Sequence, residues 1–231
     1  SKLSNLFTVL NIHVFGASTP TGRTLPQHIS SCETKISLHA YSRTSTSIPG
    51  YSSSTVLDLL DPESFLPIIA HSPSSIWISF GPIWLFAPFL DFISSRHPEY
   101  LEGVRGIIVC SSSSTITKRF AFNRYDRELV SKLYLAEKSL LTICRGLQIH
   151  CMILRPTLIY GRFGSYGDKN LSRLIKLMRS LPAFPVPLHS GLRQPIHVTQ
   201  LASVALHFSL RFSLVERGNF VADCVDIGGD S

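Results

Sequence analysis

The chain has 231 residues, of which 44% are hydrophobic and only 16% are charged. This composition excludes a disordered chain and predicts a globular protein with a substantial core, in one large domain or one and a half small ones. The formal net charge is +7, but the basic residues are spread along the chain and form no dense run. A small anionic ligand explains that charge as well as a nucleic acid does, so we expect no nucleic-acid partner.

The cysteines and histidines give no sign of a metal site. The five cysteines are an odd number without metal-ligand spacing, and no two of the nine histidines have it either. This pattern is typical of reduced thiols, so we expect no metal and a cytoplasmic protein.

One segment, residues 76–93, is apolar enough to resemble a membrane span. Gly81, Pro82 and Pro88 interrupt it, and it contains Asp91. Glycine and proline break a helix of the necessary length, so the segment favours a buried strand followed by a covering helix. We therefore expect no membrane partner.

The first strand, predicted over residues 6–15, ends in a turn of small residues that leads into a helix over 23–29. Such a turn directs backbone N–H groups and the helix dipole at one spot, where a pyrophosphate fits. Gly16 permits the tight turn, and Gly22 lets the helix pack closely on its strand. Thr19 stands where dinucleotide-binding folds usually have another glycine, although Ser18 and Thr19 have hydroxyls for a phosphate. An ordinary strand-to-helix turn is the alternative.

Strands and helices alternate along the rest of the chain. The pattern predicts strands over 35–41, 56–60, 75–80, 104–110, 150–154 and 219–225, and helices over 64–70, 84–95, 126–145, 170–179 and 199–212. This alternation predicts an α/β fold, a Rossmann-like doubly wound parallel sheet with helices on both faces. Ligands of such sheets bind beyond the carboxyl ends of the strands.

Several short motifs follow one another in a familiar order. They are Gly16-Ala17-Ser18-x-x-x-Gly22, Asp58-Leu59, Cys110-Ser111-Ser112-Ser113, Leu154-Arg155-Pro156-Thr157-Leu158-Ile159-Tyr160-Gly161 and Pro195-Ile196-His197-Val198. With these motifs the chain resembles the short-chain dehydrogenase/reductase superfamily, and within it the extended branch of epimerase/dehydratase-like proteins. The resemblance implies a dinucleotide-binding domain over 1–160 and a small substrate lobe over 161–231, interleaved with the end of the sheet. Extended members usually continue further, so a small open lobe and a missing C-terminal part both remain open.

The resemblance also implies which residues bind the cofactor. The turn from Gly16 to Gly22 would hold the pyrophosphate, Asp58 and Leu59 would lie against the adenine, Phe80 and Gly81 against a ribose, and Pro156 and Thr157 near the nicotinamide. The residues themselves favour NADP over NAD. No acidic side chain lies between Thr34 and Leu57 to bond a ribose hydroxyl, and Arg43 stands at the strand tip where a 2′-phosphate would lie. The alternative is that Arg43 is an ordinary solvated loop residue.

The family's chemistry needs a tyrosine acid/base, a lysine four residues later that lowers its pKa, and a serine that holds the substrate oxygen. Tyr134 and Lys138 have that spacing, which places both on one helix face, and Ser113 stands at the serine position. They are our candidate catalytic residues. Tyr125 is a further phenol just before the helix pattern begins.

The register of this helix gives a second interpretation. In the extended branch a glutamate lies four residues after the lysine and 18 before the arginine of Arg-Pro, and Glu137 precedes Arg155 by 18 residues. This alignment moves the expected tyrosine and lysine to Leu129 and Leu133. The spacing of Tyr134 and Lys138 is then that of an exposed polar stripe.

Two functions follow from these observations. The first is an NAD(P)-binding oxidoreductase or nucleotide-sugar epimerase/dehydratase-like enzyme, which transfers a hydride at a carbon with a hydroxyl or carbonyl group. The alternative is a non-catalytic NAD(P)-binding sensor or structural protein with a degraded Tyr-x-x-x-Lys site. For the enzyme we expect a small-molecule substrate, with a nucleotide sugar as one class; a homodimer remains open.

Overall fold

The computed structural model describes residues 9–44, 47–63, 74–112, 124–156, 159–160, 162–163, 166–167, 196–215 and 219–227. The strands are β1 (Leu10–Phe15), β2 (Ile36–Ser42), β3 (Ser53–Val56), β4 (Ser75–Ser79), β5 (Val104–Cys110), β6 (His150–Pro156), β7 (Ile159–Tyr160), β8 (Arg162–Phe163), β9 (Tyr166–Gly167), β10 (Ile196–His197) and β11 (Ala222–Ile227). The helices are α1 (Pro20–Thr24), α2 (Pro26–Ile29), α3 (Ile83–Arg96), α4 (Arg124–Leu147) and α5 (Val198–Leu214), with a 3₁₀ turn over Pro98–Leu101.

Seven strands form one parallel sheet in the order β11-β6-β5-β4-β1-β2-β3. The chain runs outward from β1 through β2 to β3 and then returns to β4 on the other side of β1. The strand order therefore reverses between β1 and β4, which opens a crevice beyond their carboxyl ends. The α/β fold with a doubly wound parallel sheet, predicted from the alternation, is confirmed.

Helices cover both faces of this sheet. One face packs against α3 and α4 through a core that includes Phe15, Trp77 and Leu140. The other face packs against α1 and α5 through Leu25 and Phe212. Both faces of the central strands are buried, which explains the continuous apolar runs Ile76-Trp77-Ile78 in β4 and Ile107-Ile108-Val109-Cys110 in β5.

Three predicted elements differ from the structure, namely the first helix, the third strand and the last strand, which spans Ala222–Ile227 instead of 219–225. The first helix begins at Pro20 and is divided into two short helices, because Thr19 caps its start and a second proline, Pro26, opens α2. The third strand lies over Ser53–Val56 instead of 56–60, because these largely exposed residues pair with β2 at the sheet edge. The predicted helices over 64–70 and 170–179 lie outside the described residues.

The apolar segment of residues 76–93 forms the buried strand and covering helix that its sequence predicts, β4 followed by α3. Within the part of the chain that the structure describes, no helix is both long enough and apolar enough to cross a membrane.

The last third of the chain contributes to the same sheet. β11 pairs in parallel with β6, and α5 packs on β5. The division into a domain over 1–160 and a lobe over 161–231 stays a prediction.

Candidate functional site

A cavity of about 210 Å³ lies at the crevice beyond the carboxyl ends of β1, β2, β3 and β4. Each of these strands supplies part of its wall through the loop that follows it. The lining residues include seven of the predicted cofactor residues, namely Gly16, Ser18, Thr19, Arg43, Asp58, Leu59 and Gly81. The topology thus brings together residues that are far apart in the sequence, up to 65 positions for Gly16 and Gly81.

The floor of this cavity needs glycine at the end of β1. Gly16 has φ of +72°, a conformation that other residues rarely adopt, and a Cβ there would lie 2.7 Å from the backbone nitrogen of Gly81. Gly22 is needed for close packing, because a Cβ at that position would lie 2.5 Å from the carbonyl oxygen of Ala17. Both glycines have the structural roles that the sequence predicts for them.

Thr19 closes the turn between β1 and α1. It is the N-cap of α1, and its Oγ1 accepts a hydrogen bond from the Gly22 amide at 3.1 Å and donates one to the Gly16 carbonyl oxygen at 2.8 Å. The Thr19 hydroxyl thereby accepts the hydrogen bond of a helix N-terminal amide, a kind of donor that an open phosphate turn would offer to its ligand. Pro20, at the first helical position, has no amide hydrogen at all.

The end of β2 forms the polar side of the cavity. Ser42 is buried and donates its hydroxyl hydrogen to the Thr44 carbonyl oxygen at 2.8 Å, while Arg43 between them is exposed. Tyr41 lies against the Phe15 ring, with centroids 4.9 Å apart, and its hydroxyl lies 2.9 Å from Nδ1 of His13. Sequence reasoning missed Tyr41, Ser42 and Thr44, although their position at a strand end was a usable signal.

Of the predicted cofactor residues Asp58, Phe80 and Pro156, only Asp58 lines the cavity. Its carboxylate accepts a hydrogen bond from the Leu60 amide at 3.0 Å. Phe80 is half-buried directly after β4, and Pro156 is buried at the end of β6; neither lines the cavity. Thr157 lies outside the described residues, as does the candidate catalytic Ser113.

Tyr134 and Lys138 lie on the outer face of α4. Tyr134 is 59% exposed, and Lys138 is exposed as well. The face that α4 turns toward the sheet has Leu133, which is 1% exposed, and the half-buried Leu129 packs against the same core. The structure brings neither Tyr134 nor Lys138 to the cavity lining, and a catalytic role for them stays a prediction.

A buried ionic network ties α4 to the ends of β5 and β6. Glu137 is 2% exposed, and its carboxylate accepts hydrogen bonds from Arg155 Nε at 3.0 Å, from Arg155 Nη2 at 2.5 Å and from Ser111 Oγ at 2.5 Å. The hydrogen bond and the charge of Glu137 raise the pKa of Arg155. This contact fixes the rotation of α4 about its axis and supports the register inferred from the spacing of Glu137 and Arg155.

Among the described residues, no group of three or more histidine, cysteine, aspartate or glutamate side chains could hold a metal ion.

Sheet topology and cleft together define a protein with an α/β, Rossmann-like fold. A comparison with protein-family models finds no match, and a comparison with curated protein sequences finds none either. The solved structures that are similar to this fold include two nucleotide-sugar 4-epimerases and dTDP-glucose 4,6-dehydratase. The resemblance that the sequence motifs predict is therefore confirmed for the fold.

Three of these structures illustrate the similarity. Gre2 of Candida albicans in complex with NADPH has a TM-score of 0.69 at 12% identity, over 95% of this chain and 78% of that one. For dTDP-glucose 4,6-dehydratase of Bacillus anthracis in complex with NAD, the TM-score is 0.61 at 14% identity, over 96% and 76%. UDP-N-acetylglucosamine 4-epimerase of Bacillus cereus has a TM-score of 0.60 at 14% identity, over 95% and 79%.

Proposed function

We propose that this protein binds NADP(H), with the adenosine end in the cavity at the carboxyl edge of the sheet. The cavity lining supports this proposal, because it combines the glycine turn, the Asp58-Leu59 pair and the Arg43 guanidinium at one place. Structures with this fold have been solved with NADPH and with NAD, which supports a nicotinamide cofactor without deciding between the two.

Arg43 is the basis for preferring NADP. It is an exposed cation at the tip of β2, in a wall that also contains Ser42 and Thr44, and a guanidinium there suits a 2′-phosphate. NAD-binding proteins of this fold need instead an acceptor for the ribose hydroxyls, usually a carboxylate, near the same strand end. The segment from Thr34 to Leu57 contains no such carboxylate.

The experiment is a titration of tryptophan fluorescence with NADPH and with NADH. Trp84, 39% exposed on the first turn of α3, adjoins the lining residue Leu85 and serves as the reporter. Replacement of Arg43 by alanine removes one charge-assisted bond, so we expect NADPH affinity to fall about tenfold or more and NADH affinity to stay within about twofold. Arg127→Ala, on the exposed face of α4, is the matched control. Equal affinities for NADPH and NADH in the wild type would contradict the preference.

For the chemistry, we propose hydride transfer at a hydroxyl or carbonyl carbon of a small molecule, with a nucleotide sugar as one substrate class. The bound nicotinamide would supply or accept the hydride. Ser113, Tyr134 and Lys138 remain the candidate residues for orienting the substrate oxygen and moving its proton. The fold similarity to an epimerase and a dehydratase supports this reaction class by analogy alone.

A second candidate function is binding of the dinucleotide without turnover. The observation in its favour is the outer-face position of Tyr134 and Lys138, together with Leu133 on the buried face where the resemblance expects the lysine. To decide between the two functions, NADPH oxidation by the wild type and by a Tyr134→Phe variant is followed at saturating cofactor. Carbonyl compounds and nucleotide sugars are the substrates tested. Turnover that Tyr134→Phe abolishes supports the enzyme with this catalytic residue. Absence of turnover with intact NADPH binding supports the second candidate.

A further inference from the structure

A second cavity, of about 470 Å³, lies at the opposite edge of the sheet from the proposed cofactor site, beyond the amino ends of β5 and β6. Its wall is formed by the 3₁₀ turn, by the loop from that turn into β5, and by the chain that leads from α4 into β6. Its volume lies in the range of small-molecule pockets in proteins. The described lining of this amino-edge cavity contains none of the predicted cofactor or catalytic residues.

The inner part of the amino-edge cavity is apolar. Leu101, Val104 and Ile149 line it, and they are only 5% to 6% exposed. Leu147, at the end of α4, also lines it and is 41% exposed, so the apolar lining continues to the protein surface. The apolar body of a ligand would be removed from water against these side chains, which favours binding.

The polar part of the lining is negative. Glu102 is exposed and is the charged residue among the described lining residues. In addition, α4 has 24 residues and ends at this cavity with Leu147, so the negative end of its helix dipole lies there. Arg105 directly follows the lining residue Val104, but its guanidinium donates to the Val215 carbonyl oxygen at 2.8 Å, beyond the end of α5 on the other face of the sheet.

Gln148 supplies a further acceptor at the point where the chain leaves α4. Its amide and that of Ile149 bond back to the helix, and its φ is +55°, a conformation for which glycine is usual at this position. Its side-chain Nε2 donates to the Arg145 carbonyl oxygen at 2.9 Å, which orders the side chain at the cavity wall. Within the described residues, its Oε1 accepts no hydrogen bond.

We infer that the amino-edge cavity binds an organic cation, namely a protonated amine on a small alkyl or aromatic body. The ammonium group meets the Glu102 carboxylate and the negative end of α4, and charge-assisted hydrogen bonds of this kind are the strong ones. The apolar body packs against Leu101 and Ile149. This inference does not depend on the proposed binding of NADP(H), because the two cavities lie at opposite edges of the sheet and share no described lining residue.

The experiment compares three probes of similar size, which are the cation phenethylammonium, the neutral phenethyl alcohol and the anion hydrocinnamate. Isothermal titration calorimetry is carried out at pH 7 and low ionic strength, because salt screens an exposed charge. We expect phenethylammonium to bind about tenfold more tightly than phenethyl alcohol, and hydrocinnamate to show no binding up to about 10 mM.

Variants test where the cation binds. Glu102→Gln removes the carboxylate charge, so we expect phenethylammonium to bind about tenfold more weakly and phenethyl alcohol to change within about twofold. Glu99→Gln is the matched control, because Glu99 lies in the neighbouring 3₁₀ turn, pairs with His97 and does not line the cavity. Gln148→Gly suits the positive φ and removes the acceptor, so we expect the cation to bind about threefold more weakly. Thermal unfolding verifies that each variant is folded.

Three results would overturn the inference. The first is that phenethylammonium does not bind the folded wild type at concentrations up to about 10 mM. The second is that all three probes bind equally well, because the site would then not recognise a positive charge. The third is that Glu102→Gln has no larger effect than Glu99→Gln, because the cation would then bind elsewhere. An unchanged affinity in Gln148→Gly alone would overturn the part assigned to that side chain.

Discussion

At the scale of single residues, Glu137 is a buried charge that depends on its hydrogen-bond partners. Its carboxylate is buried and accepts hydrogen bonds from Arg155 and Ser111, so the desolvation of the charge is offset by three close donors. A buried ion pair of this kind adds little stability compared with an apolar pair of the same size. Removal of one partner, however, leaves an uncompensated buried charge, which is strongly destabilising. The position of α4 is therefore sensitive to replacement of either Glu137 or Arg155.

We predict that Arg155→Met lowers the free energy of unfolding by about 3 kcal/mol, because Glu137 would stay buried without its cation. The matched control is Arg124→Met. Arg124 pairs with Glu128 at 2.8 Å on the exposed face of α4, the helix that also contains Glu137. The Arg124 and Glu128 side chains are 88% and 56% exposed. Such a pair contributes about 0.5 kcal/mol or less. Urea unfolding of both variants measures the difference, and equal losses would contradict the assignment.

At the scale of elements, the contact between β5 and α5 depends on one missing side chain. Gly106 in the middle of β5 faces Phe212 of α5, and a Cβ there would lie 2.6 Å from Cδ2 of that ring. The ring is 1% exposed and belongs to the core beneath the sheet. Glycine lets the helix approach the strand closely, which explains a glycine inside an otherwise apolar buried strand.

We predict that Gly106→Ala destabilises the protein by about 1–3 kcal/mol, because the added methyl group overpacks the core and pushes α5 from the sheet. Gly146→Ala is the matched control. It lies on α4 where a Cβ meets nothing within 4 Å, so the same substitution is expected to stabilise the helix by up to about 1 kcal/mol. Thermal unfolding of both variants measures whether each substitution stabilises or destabilises the protein. An unchanged stability of Gly106→Ala would contradict the prediction, because it would show that α5 moves away from the sheet without loss of stability.

At the scale of the whole molecule, buried histidines make the stability dependent on pH. His13 is fully buried in β1, with its ring 4.9 Å from that of His39, and burial together with the nearby His39 lowers the pKa of His13 from 6.5 to about 3. Burial also lowers the pKa of His39 and that of His150. Below pH 6.5 the unfolded chain thus binds protons that the folded chain does not, which favours unfolding.

We predict that the contribution of these neutral histidines to the free energy of unfolding is complete above pH 6.5 and decreases as the pH falls toward 3. His13 alone contributes a slope of about 1.4 kcal/mol per pH unit within that window. His13→Phe keeps a ring against Tyr41 and His39 but cannot be protonated, so its slope is expected to be shallower. Urea unfolding at pH 7, 6 and 5 measures both slopes. Parallel slopes for the wild type and His13→Phe would contradict the prediction.

The sequence alone determined the architecture of this protein. Alternating apolar and amphipathic segments required a parallel sheet with helices on both faces, because that arrangement buries strands such as β4 and β5 on both sides. The same reasoning placed Gly16 and Arg43 at strand ends, where the cavity is found. Local steric rules suffice for Gly16, since its φ of +72° lies in a region that other residues rarely adopt.

Only the tertiary structure decided which side of each element a residue faces. Tyr134 and Lys138 have a spacing that suits a catalytic pair, yet the packing of Leu133 and Glu137 against the sheet turns that face of α4 outward. Likewise, the sequence offers the Thr19 hydroxyl as a partner for a phosphate, whereas in the structure this hydroxyl caps its own helix. Spacing fixes the relative angles of residues around one helix, whereas the rotation of that helix against the sheet depends on contacts with residues on other elements, such as that of Glu137 with Arg155.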